Sequence, residues 1–321
     1  ICNVQKNTIV VLHNGSPVTM PWKDRVKGIV EAYLGGQAVG KAVVNILYGN
    51  VNPSGRLAET FPFRLEDTPC YLTYGKGVDE AVYSEGVFVG YRYYTSKKQE
   101  VLFPFGYGLS YTSFTYGNLK LDKSAMTDQE ALTVSVDVEN TGNRAGKEVV
   151  QIYVAPGESE TARPVKELRA FDKIELAPGE KKTVVFELDA RAFAYWNTEL
   201  HDWFVESGDY EIQVGKNVEE VLLSESVQVE GTKKIKKIYT LNTCMGELMR
   251  DEKAGAVFGQ MMSGNQQAKE MAEANQEDPS GAVNAEMMAA MMNDMPLRQL
   301  LSFVPGMTRE ALEQILAAVN Q

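Results

Sequence analysis

The side chains able to do chemistry in this sequence are few and scattered. Glu85 sits between Ser84 and Gly86, in a loop that enters an aromatic run of Phe88, Tyr91, Tyr93 and Tyr94. A carboxyl among apolar rings has its neutral form favoured and can then serve as a general acid. The better supported alternative is that Glu85 bonds backbone or pairs with an arginine such as Arg92, fixing the loop. Glu85 and its neighbour Tyr83 are therefore kept as substrate-proximal candidates, and Glu85 is only a weak candidate for a catalytic role. His13 is the third candidate. It follows Thr8–Leu12, an apolar run that reads as a parallel strand, and open α/β sheets place ligands beyond the carboxyl ends of their strands. A hydrogen-bonded turn histidine explains His13 equally well.

Other chemistries find little support. Cys70 is flanked by Pro69 and Tyr71 with no histidine nearby, so a cysteine nucleophile lacks its base. Asn14-Gly15 and Gly35-Gly36 are not followed by Lys-Ser/Thr, which excludes a phosphate cradle and leaves backbone turning as their role. The three cysteines, Cys2, Cys70 and Cys244, form neither a disulfide framework nor a metal knuckle, and two histidines far apart argue against a His-based metal centre. No cofactor is implied. Trp22, Trp196 and Trp203 can stack on a ligand ring, but lone tryptophans more often pack in cores. A net charge of −11 argues against nucleic-acid backbones, for no basic surplus exists to displace counterions. The longest largely apolar runs, such as Thr8–Leu12 and Val149–Ala155, fall far short of a membrane span. Localisation is not fixed by the sequence; unpaired thiols favour a reducing, cytoplasmic setting.

The elements that would position these groups fall into three regions. The 321 residues exceed what one hydrophobic core comfortably holds, and 44% apolar with 23% charged residues is globular composition. Ile1–Asn7 lacks the basic start of a signal peptide and reads as the last turns of a helix capped by Asn7. Thr8–Leu12 is β-branched and apolar on both faces, as in a covered central strand. Lys23–Leu34 reads as an amphipathic helix on Val26, Ile29, Val30 and Tyr33, and Gln37–Tyr48 as a second, ended by Gly49–Gly55. A chain that opens inside a helix feeding a buried strand is expected to be a domain cut in the middle.

From about residue 105 the pattern becomes alternating, at Leu132–Val138, Val149–Val154, Thr183–Leu188, Tyr210–Val214 and Val221–Val229, with turn-rich joints between. Short strands so spaced predict an all-β sandwich. After the basic joint Lys233–Lys237 the chain turns helical and polar, and eleven of its thirteen methionines lie there. Met287, Met288, Met291, Met292 and Met295 form one helical stripe, better explained by core packing than by a binding surface. Ser263–Ala282 has the composition of a partly disordered stretch. Thr308 is placed as an N-cap, with Ala311 at the third helical position and Leu312, Ile315, Leu316 and Val319 on the apolar face.

Several strings together resemble glycoside hydrolase family 3 of the β-glucosidase type: Thr8–Val18 with Pro21-Trp22; Gly36–Gly40 through Asn52–Leu57 to Thr60-Phe61-Pro62; Tyr83–Tyr94; and Phe103–Phe114. Val165–Phe171 and Leu176–Glu180 resemble that family's fibronectin type III-like domain. The resemblance runs over about residues 1–230. It implies a multidomain α/β plus all-β fold, with residues 1–104 as the C-terminal part of an α/β sandwich and 105–230 as a fibronectin type III-like domain; the residue pattern adds 231–321 as a helical, partly flexible tail.

The resemblance also implies an activity, the retaining, exo-acting hydrolysis of terminal β-glucosides. Retention uses two carboxyl groups about 5 Å apart, one a nucleophile and one an acid/base. In the family the nucleophile is an aspartate on a barrel domain, and the acid/base glutamate precedes the strand that here begins at Thr8. Both are expected outside this chain, which alone is then inactive and works beside a chain or fragment carrying the barrel. A sheet edge left open would be the pairing site. Asp202-Trp203 superficially matches the nucleophile's surroundings but lies in the β region, and is rejected. By the family pattern Glu85 is not the usual acid/base. The rival expectation is a non-catalytic module binding carbohydrate or protein.

Overall fold

The computed structural model describes residues 1–77, 79–159, 161–263, 290 and 292–320. It contains two compact units, Ile1–Lys234 and Ile235–Gln321.

The first unit opens with a small α/β segment. Strand β1 (Ile9–Leu12) pairs in parallel with β2 (Gly28–Glu31), Ile9 opposite Gly28 and Leu12 opposite Glu31. Helix α1 (Val39–Leu47) follows, ended by Gly49 in the left-handed region at φ 70°, and α2 spans Tyr91–Lys97. Few apolar side chains in this segment are buried, Met20, Phe61 and Tyr94 among them, while Ile9 is 51% exposed and Val44 and Leu47 of α1 face solvent. This part of the chain carries little core of its own.

Three expectations change here. Ile1–Asn7 forms a turn, with the Val4 and Gln5 amides on the Ile1 carbonyl, where helix was expected. The expected helix Lys23–Leu34 is a 3₁₀ turn at Lys23–Arg25 followed by β2. Gly28 disfavours a helix, and the β-branched Ile29 and Val30 suit a strand once β1 offers an edge. β1 is not covered on both faces, as Ile9 is exposed.

The rest of the unit is a β-sandwich. Strands β3 (Phe114–Leu121), β5 (Leu132–Asn140) and β8 (Lys181–Leu188) form one sheet, in the order β3-β5-β8. The other contains β4 (Ala125–Thr127), β6 (Gly146–Pro156), β7 (Glu167–Leu176), β11 (Gly208–Gly215) and β12 (Val221–Glu230), in the order β4-β12-β11-β6-β7. A turn, α3 (Ala190–Phe193), leads into the hairpin β9 (Tyr195–Asn197) and β10 (Asp202–Phe204). Along β5 every second side chain is buried, Leu132, Val134, Val136, Val138 and Asn140, as a strand with one face on a core requires. These meet Ile152, Val154, Ile212, Val214 and Phe193 from across the sandwich. Buried Asn140 donates to the Leu176 and Arg144 carbonyls and accepts from Thr112, and the Tyr210 hydroxyl donates to the Glu206 carbonyl four residues upstream.

The α/β segment is fastened to this sandwich. The Arg56 guanidinium bonds Glu148 of β6 at 2.6 Å, and the Tyr116 hydroxyl donates to the other Glu148 oxygen at 2.8 Å. Asn52 donates to the Ala145 carbonyl at 3.1 Å. Tyr91 stacks on Phe105 at 4.6 Å and accepts the Leu168 amide at 2.8 Å. Gly106 sits at φ 82°, and a Cβ there would stand 2.2 Å from the Oε1 of Gln151, whose amide nitrogen donates to the Gly106 and Lys216 carbonyls. Gly106→Ala combines backbone strain with that clash and is expected to cost about 2–3 kcal/mol. A urea titration followed by tryptophan fluorescence measures it, and a loss under about 0.5 kcal/mol would refute the close approach.

The second unit holds α4 (Met245–Arg250), α5 (Glu252–Ser263), α6 (Leu300–Phe303) and α7 (Arg309–Val319) around Tyr239, Leu248, Phe258, Leu297 and Leu312. Thr308 caps α7 as expected, its hydroxyl accepting the Ala311 amide at 3.2 Å. Tyr239 is clasped by Asn320, which accepts its amide and donates to its carbonyl, both at 2.8 Å. Met287, Met288, Met291 and the stretch 264–282 lie outside the described residues; Met295 packs against this core and Met292 is exposed. No described helix is long and apolar enough to cross a membrane.

Candidate functional site

The carboxyl ends of β1 and β2 carry a group of polar side chains, His13, Asn14, Glu31 and Tyr33. The Ala32 amide bonds the Leu12 carbonyl at 3.0 Å, and the chain then turns at Tyr33, a non-glycine residue at φ 45°. That turn brings the Tyr33 carbonyl to His13 Nδ1 at 3.3 Å and its amide to the Glu31 carboxylate at 2.9 Å. The Tyr33 phenol stands beside Glu59, close enough for their charges to interact but outside standard hydrogen-bond geometry. Burial, then the Glu59 and Glu31 carboxylates, push the Tyr33 phenol well above its usual range. Burial also raises Glu59, against the pull of Tyr33, and Glu31 adds to the rise. The Asn14 carbonyl oxygen and the second Glu31 oxygen are buried without partners among the described residues. Such an acceptor-rich edge is suited to hydrogen-bond donors.

Of the expected site residues, His13 is exposed and bonded to the Tyr33 turn. Tyr83 is 88% exposed and Glu85 half-buried; between them Ser84 shares a 2.9 Å hydroxyl contact with Thr73. No hydrogen bond or ion pair joins His13 to Tyr83 or Glu85 among the described residues. The suggested Glu85–Arg92 pair does not form, because Arg92 lies 2.9 Å from Glu167, which Arg169 also bonds. Arg92 is on α2, an element that the aromatic run concealed. Asp202 is an exposed hairpin residue paired with Lys233 at 2.5 Å.

Sequence reasoning missed Glu31, Tyr33 and Glu59. Glu31 was within reach had Gly28–Glu31 been read as a strand ending in a carboxylate; nothing local announces Glu59. A cavity of about 470 Å³ holds Glu100 and Glu219 beside Lys166. It opens widely to solvent; Glu100 is exposed, and the Lys166 ammonium opposes the upward push of burial on Glu219. No group of three or more His, Cys, Asp or Glu side chains among the described residues is arranged to hold a metal ion.

Residues 1–111 match the glycosyl hydrolase family 3 C-terminal domain, and residues 148–218 match a fibronectin type III-like domain. The chain is 49% identical over all its 321 residues to thermostable beta-glucosidase B of Acetivibrio thermocellus, spanning 42% of that protein. It is 39% identical over 301 residues, 94% of its length, to an exo-alpha-(1->6)-L-arabinopyranosidase of Bifidobacterium breve, spanning 38% of it. The crystal structure of a Bifidobacterium adolescentis GH3 beta-glucosidase superposes with a TM-score of 0.72 at 39% identity, covering 80% of this chain and 38% of that one. The chain thus spans less than half the length of these relatives.

Proposed function

Because the chain belongs to glycoside hydrolase family 3, carrying that family's C-terminal domain and a fibronectin type III-like domain, we propose that it is the C-terminal part of a retaining, exo-acting β-glucosidase. The observation that carries this reading is the 49% identity, over all 321 residues of the chain, to a beta-glucosidase. The intact enzyme cleaves a terminal β-glucoside in two steps, through a covalent glycosyl intermediate on one carboxylate while a second donates and then accepts a proton. In this reading both carboxylates are supplied by polypeptide outside these residues, and this chain holds the sheet edge beside them. His13, Tyr83 and Glu85 stay substrate-proximal candidates, His13 being the one at the carboxyl edge of the sheet. The same reading divides the chain into residues 1–104, 105–230 and 231–321. The likeness to an arabinopyranosidase leaves the terminal sugar to be fixed by experiment.

A second reading has an observation of its own. Trp196 and Trp203 pair across the β9–β10 hairpin with ring centroids 5.5 Å apart, and both are more than one-third exposed. The Arg191 guanidinium covers one face of Trp203, and the more exposed Trp196 ring is the surface that suits a carbohydrate-binding module. One experiment separates the two. Hydrolysis of p-nitrophenyl β-glucoside is measured for the purified chain and for the chain co-expressed with the N-terminal portion of the A. thermocellus relative. The expected result is no turnover alone and turnover in the complex. Turnover by the chain alone refutes the placement of the catalytic carboxylates, and an associated but inactive complex refutes the glucosidase reading in favour of the module.

A further inference from the structure

Asn14 is the only asparagine of the chain followed by glycine, and it stands two residues past the end of β1. Gly15 belongs to no helix or strand, and its amide makes no hydrogen bond among the described residues. Gly15 and Ser16 are exposed, and a Cβ on Gly15 would meet nothing within 4 Å. The Asn14 carboxamide is folded forward along the chain, its nitrogen donating to the Ser16 carbonyl at 2.8 Å. That bond alone anchors it, since its oxygen has no partner among the described residues.

We propose that Asn14 is a self-modifying site, deamidated by attack of the Gly15 amide nitrogen on the side-chain carbon Cγ of Asn14. The nitrogen, once deprotonated, bonds to Cγ and closes a succinimide ring; the Cγ–Nδ2 bond breaks, and ammonia leaves with a proton taken from water. Water then adds to either ring carbonyl and breaks its bond to nitrogen, leaving an aspartyl or an isoaspartyl residue at position 14. Glycine permits the closure, because a Cβ would crowd the nitrogen and narrow the backbone angles open to it. Asn50, Asn140, Asn197 and Asn217 each precede Val or Thr, whose branched side chains oppose the same closure. An unbonded amide, moreover, gives up its proton without breaking a hydrogen bond. Either product puts a carboxylate where the amide donated, so the Ser16 carbonyl then faces a second acceptor. The chemistry uses only this chain and water, and it stands whatever the intact protein cleaves.

The test incubates the full chain in ¹⁸O-labelled water at mildly alkaline pH, then digests it with trypsin in ordinary water for mass spectrometry. Residues 7–23 form one tryptic peptide, in which Asn7-Thr8 is the internal control. The expected result is labelled deamidation at Asn14 in both aspartyl and isoaspartyl forms, none at Asn7, and a rate that rises with pH. The folded chain should react within about tenfold of the same chain unfolded in urea, because an exposed turn opens readily. Gly15→Ala meets no clash and no positive φ. It should keep the parent's melting temperature and slow the reaction about tenfold. An unmodified Asn14 overturns the proposal. An aspartyl product without isoaspartyl, which means direct attack by water, overturns it equally. The same holds for a Gly15→Ala rate equal to the parent's, or a folded rate more than about tenfold below the unfolded one.

Discussion

Arg56→Ala is expected to cost about 3–5 kcal/mol, because it strands a buried carboxylate. Only 10% of the Arg56 side chain and 2% of the Glu148 side chain reach solvent, and one 2.6 Å contact joins them across the boundary between the α/β segment and the sandwich. Without Arg56, the Tyr116 hydroxyl is the one side-chain hydrogen-bond donor left to Glu148 among the described residues. The effect should depend on pH, with a sign that can be worked out. Burial raises the Glu148 carboxyl above its usual value even with Arg56 present, which with Tyr116 pulls it back down. Removing the guanidinium lets burial act with less opposition, so in the variant the folded state takes up a proton more readily than the unfolded chain. Stability relative to the parent is therefore best retained below the ordinary carboxylate range and is lost as pH rises through the raised folded value. Urea titrations at several pH values measure this. A penalty under about 1 kcal/mol, flat with pH, would mean the pair is effectively solvated. The double variant Arg56→Met, Glu148→Leu should recover most of the loss, since no charge is then left buried.

Leu312→Ala should have its effect in the second unit. Leu312 is fully buried on α7 against the core around Leu248 and Leu297, and truncation of such a leucine costs about 2–5 kcal/mol. That is comparable to the whole stability of a unit this small. All three tryptophans, Trp22, Trp196 and Trp203, belong to the first unit, whereas α4, α5, α6 and α7 supply helical signal in the second. The expected result is an early loss of far-ultraviolet helical signal, with the tryptophan transition held at the parent's temperature. Equal shifts in both signals would show that the two units melt as one.

Legibility in the sequence followed the physical origin of each element. The sandwich strands declared themselves because a sheet with one buried face imposes a period of two, and β5 obeys it over nine residues. Thr308 was legible because a cap is a local hydrogen bond within a few residues of chain. β2 was not: its four residues are too few to separate a helical period from a strand period, and Tyr33 and Val26 completed a false helical face. The Glu31–Tyr33–Glu59 group was hidden for another reason: Glu31 and Tyr33 are close in sequence, but Glu59 lies on a later segment and comes beside Tyr33 only in the folded chain.

Composition and patterning by themselves determined the order of architectures along the chain, α/β then all-β then helical, and the strings that resemble one hydrolase family. Each follows from burial period and turn chemistry, which act over a few residues. Only the tertiary structure decided which charges became buried partners, and that Arg92 answers to Glu167 and not to Glu85. Those outcomes depend on which surfaces close over which side chains. Burial makes an unpaired polar atom costly, and it is a property of the packed chain that no short window of sequence contains.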